Sequence, residues 1–174
     1  MEGESIGRPG STEIIPWSSS ELPPLDALIL PEDTYLLLQA VTEDVDPDVT
    51  PLDLWVALEH AARTEKHPLG SVMIGDGTAR GVRYVARVIV YDFEAEMICR
   101  KEAVLAGLQS ALSALVQRGC KTVGVFPLGT TRGGISQAEY LDAIDEITTR
   151  PGEEFPRTLY LLGKEPEAGE DADP

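Results

Sequence analysis

TVGVFPLGTTRGGISQAE, residues 122–139, leads from a short apolar segment through a glycine-rich loop into a polar one. Residues 122–126 are mostly apolar on both faces, which is typical of a strand inside a sheet. Ser136 and Glu139 have the spacing of a capping box, in which each side chain accepts a hydrogen bond from the main-chain N–H of the other residue. The stretch therefore predicts a strand, a loop over 127–135 and a helix that begins at Ser136.

Short apolar segments alternate with segments of helical spacing along the rest of the chain. Apolar side chains recur at steps of three and four over 101–118, which predicts an amphipathic helix ended by Gly119. TPLD opens a second predicted helix over 50–62, with a capping threonine followed by proline. Strands are expected at 26–30, 35–41, 85–91, 122–126 and 158–162. This alternation predicts an α/β fold, a three-layer α/β/α sandwich with a mixed sheet.

Length and charge limit the classes of function. The 174 residues suit one domain, and we expect residues 1–11 and the acidic tail 164–174 to be disordered, which leaves a domain over 12–163. The formal net charge of −16 repels nucleic-acid phosphates and anionic lipids. Three arginines near one predicted strand are expected to spread over its two faces and to be solvated, namely Arg80, Arg83 and Arg87. Binding to nucleic acid or membrane is therefore not expected.

The cysteines and histidines predict neither a disulfide framework nor a metal site. Cys99 and Cys120 are far apart, and the chain begins with a polar segment rather than an apolar signal, which favours the cytoplasm. His60 and His67 have no recognised ligand spacing to either cysteine. We therefore expect no metal and no cofactor.

The glycine-rich loop is the candidate binding site, because ligands of open α/β sheets bind where a strand leads into a helix. Its glycines allow main-chain N–H groups to converge on an anion near the positive end of the helix dipole. The candidate ligand-binding residues are Pro127, Gly129, Thr130, Thr131, Arg132, Gly133, Gly134 and Ile135. A tight strand-to-helix turn explains the glycines equally well, since the loop matches neither the P-loop nor the dinucleotide pattern.

The order of segments resembles a macro domain, the family whose better-known members bind ADP-ribose and sometimes remove it from proteins. FPLGTTRGGIS, residues 126–136, resembles the second phosphate-binding loop of that family. Other segments that resemble its strands and its first helix are VRYVARVIVY (82–91), LDLWVALEHAA (52–62), GSVMIGDG (70–77) and residues 14–30. The resemblance covers about residues 12–163, and it implies a macro-domain fold with a phosphorylated or nucleotide-like ligand at the loop.

Three features that hold ADP-ribose in that family differ here. Trp17 and Ser18 stand where the family has an acidic residue that contacts adenine, and Glu32 and Asp33 stand where it has asparagines. The first phosphate loop is replaced by EDVDPDVTPLD, residues 43–53, with five acidic residues and no glycine. An ionised carboxylate accepts hydrogen bonds without donating them and repels a diphosphate. These differences argue against ADP-ribose as the ligand.

Three functions remain open from the sequence. The leading one is a binding or interaction module without catalytic residues. The second is a hydrolase of ADP-ribosyl or related phosphoester substrates with Glu32 or Asp33 as general base, although acidic residues after a proline are more often solvated turn residues. The third is a structural or interaction protein without a small ligand, and the sequence identifies no assembly surface for it.

Overall fold

A computed structural model describes residues 11–36, 38, 66–130 and 134–163. The strands in these ranges are β1 (Glu13–Trp17), β2 (Ala27–Asp33), β3 (Val72–Asp76), β4 (Tyr84–Tyr91), β5 (Thr122–Val125) and β6 (Thr158–Leu162), and the α-helices are α1 (Lys101–Gln117) and α2 (Gln137–Thr148). All but one of the predicted strands, and the helices predicted from 101 and 136, are confirmed. The predicted helix over 50–62, the acidic segment 43–53 and the tail 164–174 lie outside the described residues.

The strands form one mixed sheet in the order β1-β6-β5-β2-β4-β3. β3 runs antiparallel to β4, and the other neighbouring pairs are parallel. β2 lies inside the sheet, and its first four residues are at most 2% exposed. Burial on both faces explains why this strand is a continuous apolar run. The predicted α/β class with a mixed sheet is confirmed.

Both α-helices pack on one face of the sheet. Leu108, Leu112 and Leu115 of α1 and Ile144 and Ile147 of α2 are at most 2% exposed. Burial of each such side chain contributes about 1.5–3 kcal/mol relative to its exposure to water. The apolar side chains that recur at helical spacing in the sequence therefore stabilise the packing of α1 and α2 on this face.

The helix ends follow their sequence signals. Ser136 Oγ accepts from Glu139 N at 3.1 Å, and Ser136 N donates to Glu139 Oε2 at 2.7 Å. Gly119 follows α1 with a φ of 79°, a left-handed conformation that glycine adopts without steric penalty. The predicted capping box and the predicted helix stop are both confirmed.

The opposite face of the sheet is buried as well. Leu28, Leu30, Val85, Phe126 and Leu162 form a second apolar cluster there, and each is at most 6% exposed. An apolar cluster on each face of a sheet is what a three-layer arrangement requires.

The predicted strand over 35–41 is wrong at the residues that are described there. Tyr35 lies in a turn and Leu38 is helical. The carboxylates of Glu32 and Asp33 accept hydrogen bonds of 2.8–2.9 Å from main-chain N–H groups of this segment. Such local bonds compete with strand pairing, and a pattern of apolar residues does not reveal them.

Candidate functional site

The carboxyl ends of β2 and β5 border the candidate site. After β2 the chain continues to β3 and β4 on one side of β2, whereas after β5 it returns through α2 to β6 on the other side. Connections that leave two adjacent parallel strands in opposite directions open a crevice at their carboxyl ends. Ligands of open α/β sheets bind in such a crevice.

β2 extends beyond the point where β5 stops pairing with it. The β2–β5 register ends at Ile29, whose carbonyl accepts from Phe126 N at 3.1 Å, while pairing with β4 continues to Asp33. Alternate residues of a strand bond to the same neighbouring strand, so Pro31 faces β5 as Ile29 does. At Pro31, however, the hydrogen-bond ladder between β2 and β5 has already ended. Its missing N–H therefore removes no ladder bond. From Pro31 onward this side of β2 has no pairing partner in β5.

The base of the loop over 127–135 is packed into the protein. Leu128, Gly129 and Ile135 are buried, whereas Pro127, Thr130 and Gly134 are half-buried. Ile135 N donates to Gly129 O at 2.7 Å, which closes the loop at its base. Outside the described residues lie Thr131, Arg132 and Gly133. The ligand-binding role of the eight candidate residues therefore stays a prediction.

Gly129 has a structural reason to be glycine that is independent of any ligand. Its φ is 77°, and a Cβ at this position would lie 2.5 Å from Cys99 Sγ and 3.2 Å from Val104 Cγ2. Burial also raises the pKa of the Cys99 thiol to about 11. Since the thiolate is the reactive form, Cys99 acts here as a small apolar side chain rather than as a nucleophile.

Glu32 and Asp33 end β2, and both are 0% exposed. Glu32 Oε1 accepts from Asp33 N at 3.0 Å and from Leu38 N at 2.9 Å, and Asp33 accepts from Tyr35 N at 2.8 Å and from Leu38 N at 2.9 Å. The expectation that these are solvated turn residues is wrong, because main-chain donors take the place of water. A general base must reach the proton that it removes, and neither buried carboxylate is accessible to a bound substrate.

The pKa of Glu32 is raised to about 7, mainly by burial and also by the neighbouring Asp33 carboxylate, while the Asp33 N–H and Arg87 oppose the shift. Arg87 Nη1 lies 3.9 Å from Glu32 Oε2, and the Arg87 side chain is 12% exposed. The expectation that Arg87 is solvated is therefore wrong. Because the Glu32 carboxyl is partly protonated near neutral pH, this end of β2 carries less negative charge than the sequence implies.

Trp17 and Tyr35 have partners of their own beside the crevice. Trp17 ends β1, and its ring meets the Tyr160 ring edge-on with a centroid separation of 5.6 Å. The Tyr35 hydroxyl donates to Glu94 Oε2 at 3.0 Å. β6 lies between β1 and β5, so Trp17 is one strand removed from the crevice.

A charged network that the sequence did not predict joins the segments after β2 and β4. Lys66 Nζ lies 2.6 Å from Glu94 Oε2 and 3.2 Å from Asp92 Oδ1, and 5.4 Å from the centre of the Tyr35 ring. Because Tyr35 and Glu94 are 59 positions apart, no local pattern indicates their contact. The network links these two segments at the carboxyl edge of the sheet.

The described ranges contain neither a grouped set of metal ligands nor a helix suited to a membrane. Among those residues, no three His, Cys, Asp or Glu side chains are grouped so that they could hold a metal ion. In the same part of the chain, no helix has the length and apolar character needed to cross a bilayer.

Comparison with known proteins identifies the fold. No protein-family model matches the sequence, and no curated protein matches it either. The macrodomain of Thermus aquaticus DarG is 18% identical with a TM-score of 0.55, covering 89% of this chain and 98% of that one. The macrodomain of Mycobacterium tuberculosis DarG is 15% identical with a TM-score of 0.56, covering 88% and 99%. The Oceanobacillus iheyensis macrodomain with ADP is 14% identical with a TM-score of 0.55, covering 81% and 77%. This chain therefore has the macrodomain fold, as the resemblance of its segments implied.

Proposed function

We propose that this protein is a macrodomain-like binding module that holds a small phosphorylated or nucleotide-like anion in the crevice between β2 and β5. The observation that carries the proposal is the reversal of strand order at this point, together with the early end of β2–β5 pairing at Ile29. A crevice of this kind is the usual ligand site of an open α/β sheet. The Oceanobacillus iheyensis and Trypanosoma brucei macrodomains with similar folds have been solved with ADP, which supports a nucleotide-like ligand here.

The charges around the crevice favour a ligand with few phosphate groups. The positive end of the α2 dipole faces the loop, but Glu139 in the first turn of α2 offsets part of it. Glu32 and Asp33 add negative charge at the end of β2, which the partial protonation of Glu32 reduces. ADP-ribose would bring a diphosphate close to these carboxylates. We therefore expect AMP or a similar monophosphate to bind more tightly than ADP-ribose.

A binding role is favoured over hydrolysis because of the environment of Glu32 and Asp33. Both carboxylates are engaged by main-chain N–H groups of their own turn. Carboxylates that hold a turn together are not available to activate water. We therefore expect no turnover of mono-ADP-ribosylated protein above the uncatalysed rate.

Thermal unfolding of the full chain with AMP, ADP-ribose, NAD or sulfate tests the proposal. A ligand at a hundred times its dissociation constant stabilises by about 2.7 kcal/mol, which raises Tm by roughly 5–10 °C for a chain of this size. We expect such a shift with AMP and a smaller one with ADP-ribose at the same concentration. No shift with any of the four at millimolar concentration would contradict the proposal.

Gly134→Val adds bulk to the loop and should abolish the AMP-dependent shift. Gly75→Val is the matched control, since Gly75 lies on the edge strand β3 with no atom within 4 Å of an added Cβ. The control should keep the full shift. Equal shifts in both variants would place the ligand elsewhere.

A further inference from the structure

Basic side chains from several segments meet at the amino edge of the sheet, opposite the crevice. Arg83 directly precedes β4, Arg118 and Lys121 lie between α1 and β5, and Arg157 directly precedes β6. β4, β5 and β6 run parallel to β2, so their amino ends lie along one edge. We call these four residues the basic edge. Arg83 is solvated as the sequence predicts, since its side chain is 54% exposed.

Two guanidinium groups of the basic edge share one aromatic ring. The Cζ atoms of Arg83 and Arg118 lie 5.8 and 6.0 Å from the centre of the Tyr84 ring. Arg83 Nη2 donates to Gly119 O at 3.2 Å, and Arg118 Nη1 donates to Ala114 O at 3.0 Å. Each guanidinium is thus held in place by a main-chain carbonyl and a ring face. Such preorganisation lowers the entropy lost when a partner binds.

A main-chain hydrogen bond connects the segments that carry the other two residues of the basic edge, Lys121 and Arg157. Thr158 N, which follows Arg157, donates to Lys121 O at 3.0 Å. The side chains of Arg118, Lys121 and Arg157 belong to exposed residues, and the Arg83 side chain is 54% exposed. The four cations therefore form one accessible surface.

Three carboxylates adjoin this surface in the part of the chain that the structure describes, and one of them is Asp76, which pairs in register with Tyr84. Asp26 Oδ1 lies 3.4 Å from Arg83 Nη2, while its Oδ2 accepts from the main-chain N–H groups of Lys121 and Thr122. Glu13 N donates to Arg157 O at 2.9 Å, so the Glu13 carboxylate is nearby. Four positive groups against three negative ones among the described residues leave this edge positive in a chain whose formal net charge is −16.

We propose that the basic edge binds an acidic segment of a partner protein. A guanidinium has five N–H donors in a planar fork that matches a carboxylate. Beside the bonds to Gly119 O and Ala114 O and the ion pair of Arg83 with Asp26, both guanidinium groups have further N–H donors for such carboxylates. A short peptide places its Asp and Glu residues on the four cations alone, whereas a nucleic acid carries a charge about every 3.4 Å along each strand and would run onto the acidic remainder of the surface.

Fluorescence anisotropy with the full chain tests this proposal. The probes are a labelled octapeptide of alternating Asp and Gly, the same peptide with Asn for Asp, and a single-stranded oligonucleotide of equal charge. We expect the Asp peptide to bind at low ionic strength and the Asn peptide not to bind. The double variant Arg118→Gln/Lys121→Gln should weaken binding of the Asp peptide about tenfold or more, because close charge pairs across interfaces have coupling energies of about 1.5 kcal/mol and above.

Arg100→Gln/Lys101→Gln is the matched control, since it removes two positive charges at the other end of α1. At an ionic strength of about 0.1 M, where the Debye length is about 10 Å, it should change the affinity less than about twofold, because α1 has 17 residues and is about 25 Å long. Equal weakening by both double variants would overturn the proposal, because only net charge would then matter. Absence of binding by the Asp peptide, or tighter binding of the oligonucleotide with the same dependence on Arg118 and Lys121, would also overturn it.

Discussion

Glu32→Gln is expected to stabilise the protein increasingly as the pH rises. Glu32 is 0% exposed, and burial raises the pKa of its carboxyl from 4.5 to about 7. A raised pKa means that the folded state holds the proton more tightly than the unfolded chain does. The resulting stabilisation is fully present below about pH 4.5 and is lost as the pH rises through about 7. Glutamine is neutral at every pH, so the variant keeps this stabilisation as the pH rises.

The magnitude follows from the two pKa values. Each unit between them corresponds to about 1.4 kcal/mol, so the full loss is about 3 kcal/mol. The sequence pI of 4.4 makes measurements near the lower limit prone to aggregation. Between about pH 5.5 and pH 8.5 the wild-type protein should lose about 2 kcal/mol of unfolding free energy from this group alone.

Urea unfolding followed by circular dichroism measures this difference. The quantity to plot against pH is the unfolding free energy of Glu32→Gln minus that of the wild type, because groups common to both proteins cancel. It should rise by about 2 kcal/mol over the stated range. Glu96→Gln, at an exposed position in the segment after β4, is the matched control variant.

A flat line for Glu32→Gln over this range would contradict the prediction, and it would have a specific meaning. It would show that attraction to Arg87, whose Nη1 lies 3.9 Å from Glu32 Oε2, outweighs the penalty of burying the charge. The Glu32 carboxyl would then be ionised at neutral pH, and the crevice would be more negative than we infer.

Gly129→Ala should lower the unfolding free energy by about 2–4 kcal/mol, because the new Cβ meets Cys99 Sγ and the backbone is left-handed. Gly81→Ala, also left-handed but with no atom within 4 Å of the Cβ, should cost only about 1–2 kcal/mol. Equal losses in urea unfolding would exclude a packing role for Gly129. Ser136→Ala removes half of the capping box and should cost about 1 kcal/mol; an unchanged urea midpoint would contradict this. Leu112→Ala leaves a cavity in the core and should cost about 2–5 kcal/mol, measured in the same way.

The predicted elements that proved correct rest on short-range patterns. The α1 helix follows from apolar side chains three and four positions apart, and the start of α2 follows from Ser136 and Glu139. These signals are local, because the hydrogen bonds they reflect join residues at most four positions apart. The predicted strand over 35–41 failed since its apolar composition gave no sign of the carboxylates that bond to its main chain.

The candidate site was predictable only in part for the same reason. The loop over 127–135 could be located by its glycines and by the strand and helix on either side. That Gly129 packs against Cys99 could not be predicted, because the contact joins residues 30 positions apart. The burial of Glu32 beside Arg87 depends likewise on the register of β2 against β4.

Composition and periodicity alone determine the α/β class, the ends of the helices and the place of the glycine-rich loop, because each depends on neighbours along the chain. Strand order and register decided the rest. They open the crevice between β2 and β5, take the two carboxylates at the end of β2 out of water, and gather Arg83, Arg118, Lys121 and Arg157 on one edge. The physical reason is that charge and burial act through space, so their effects appear only when distant segments have been brought together.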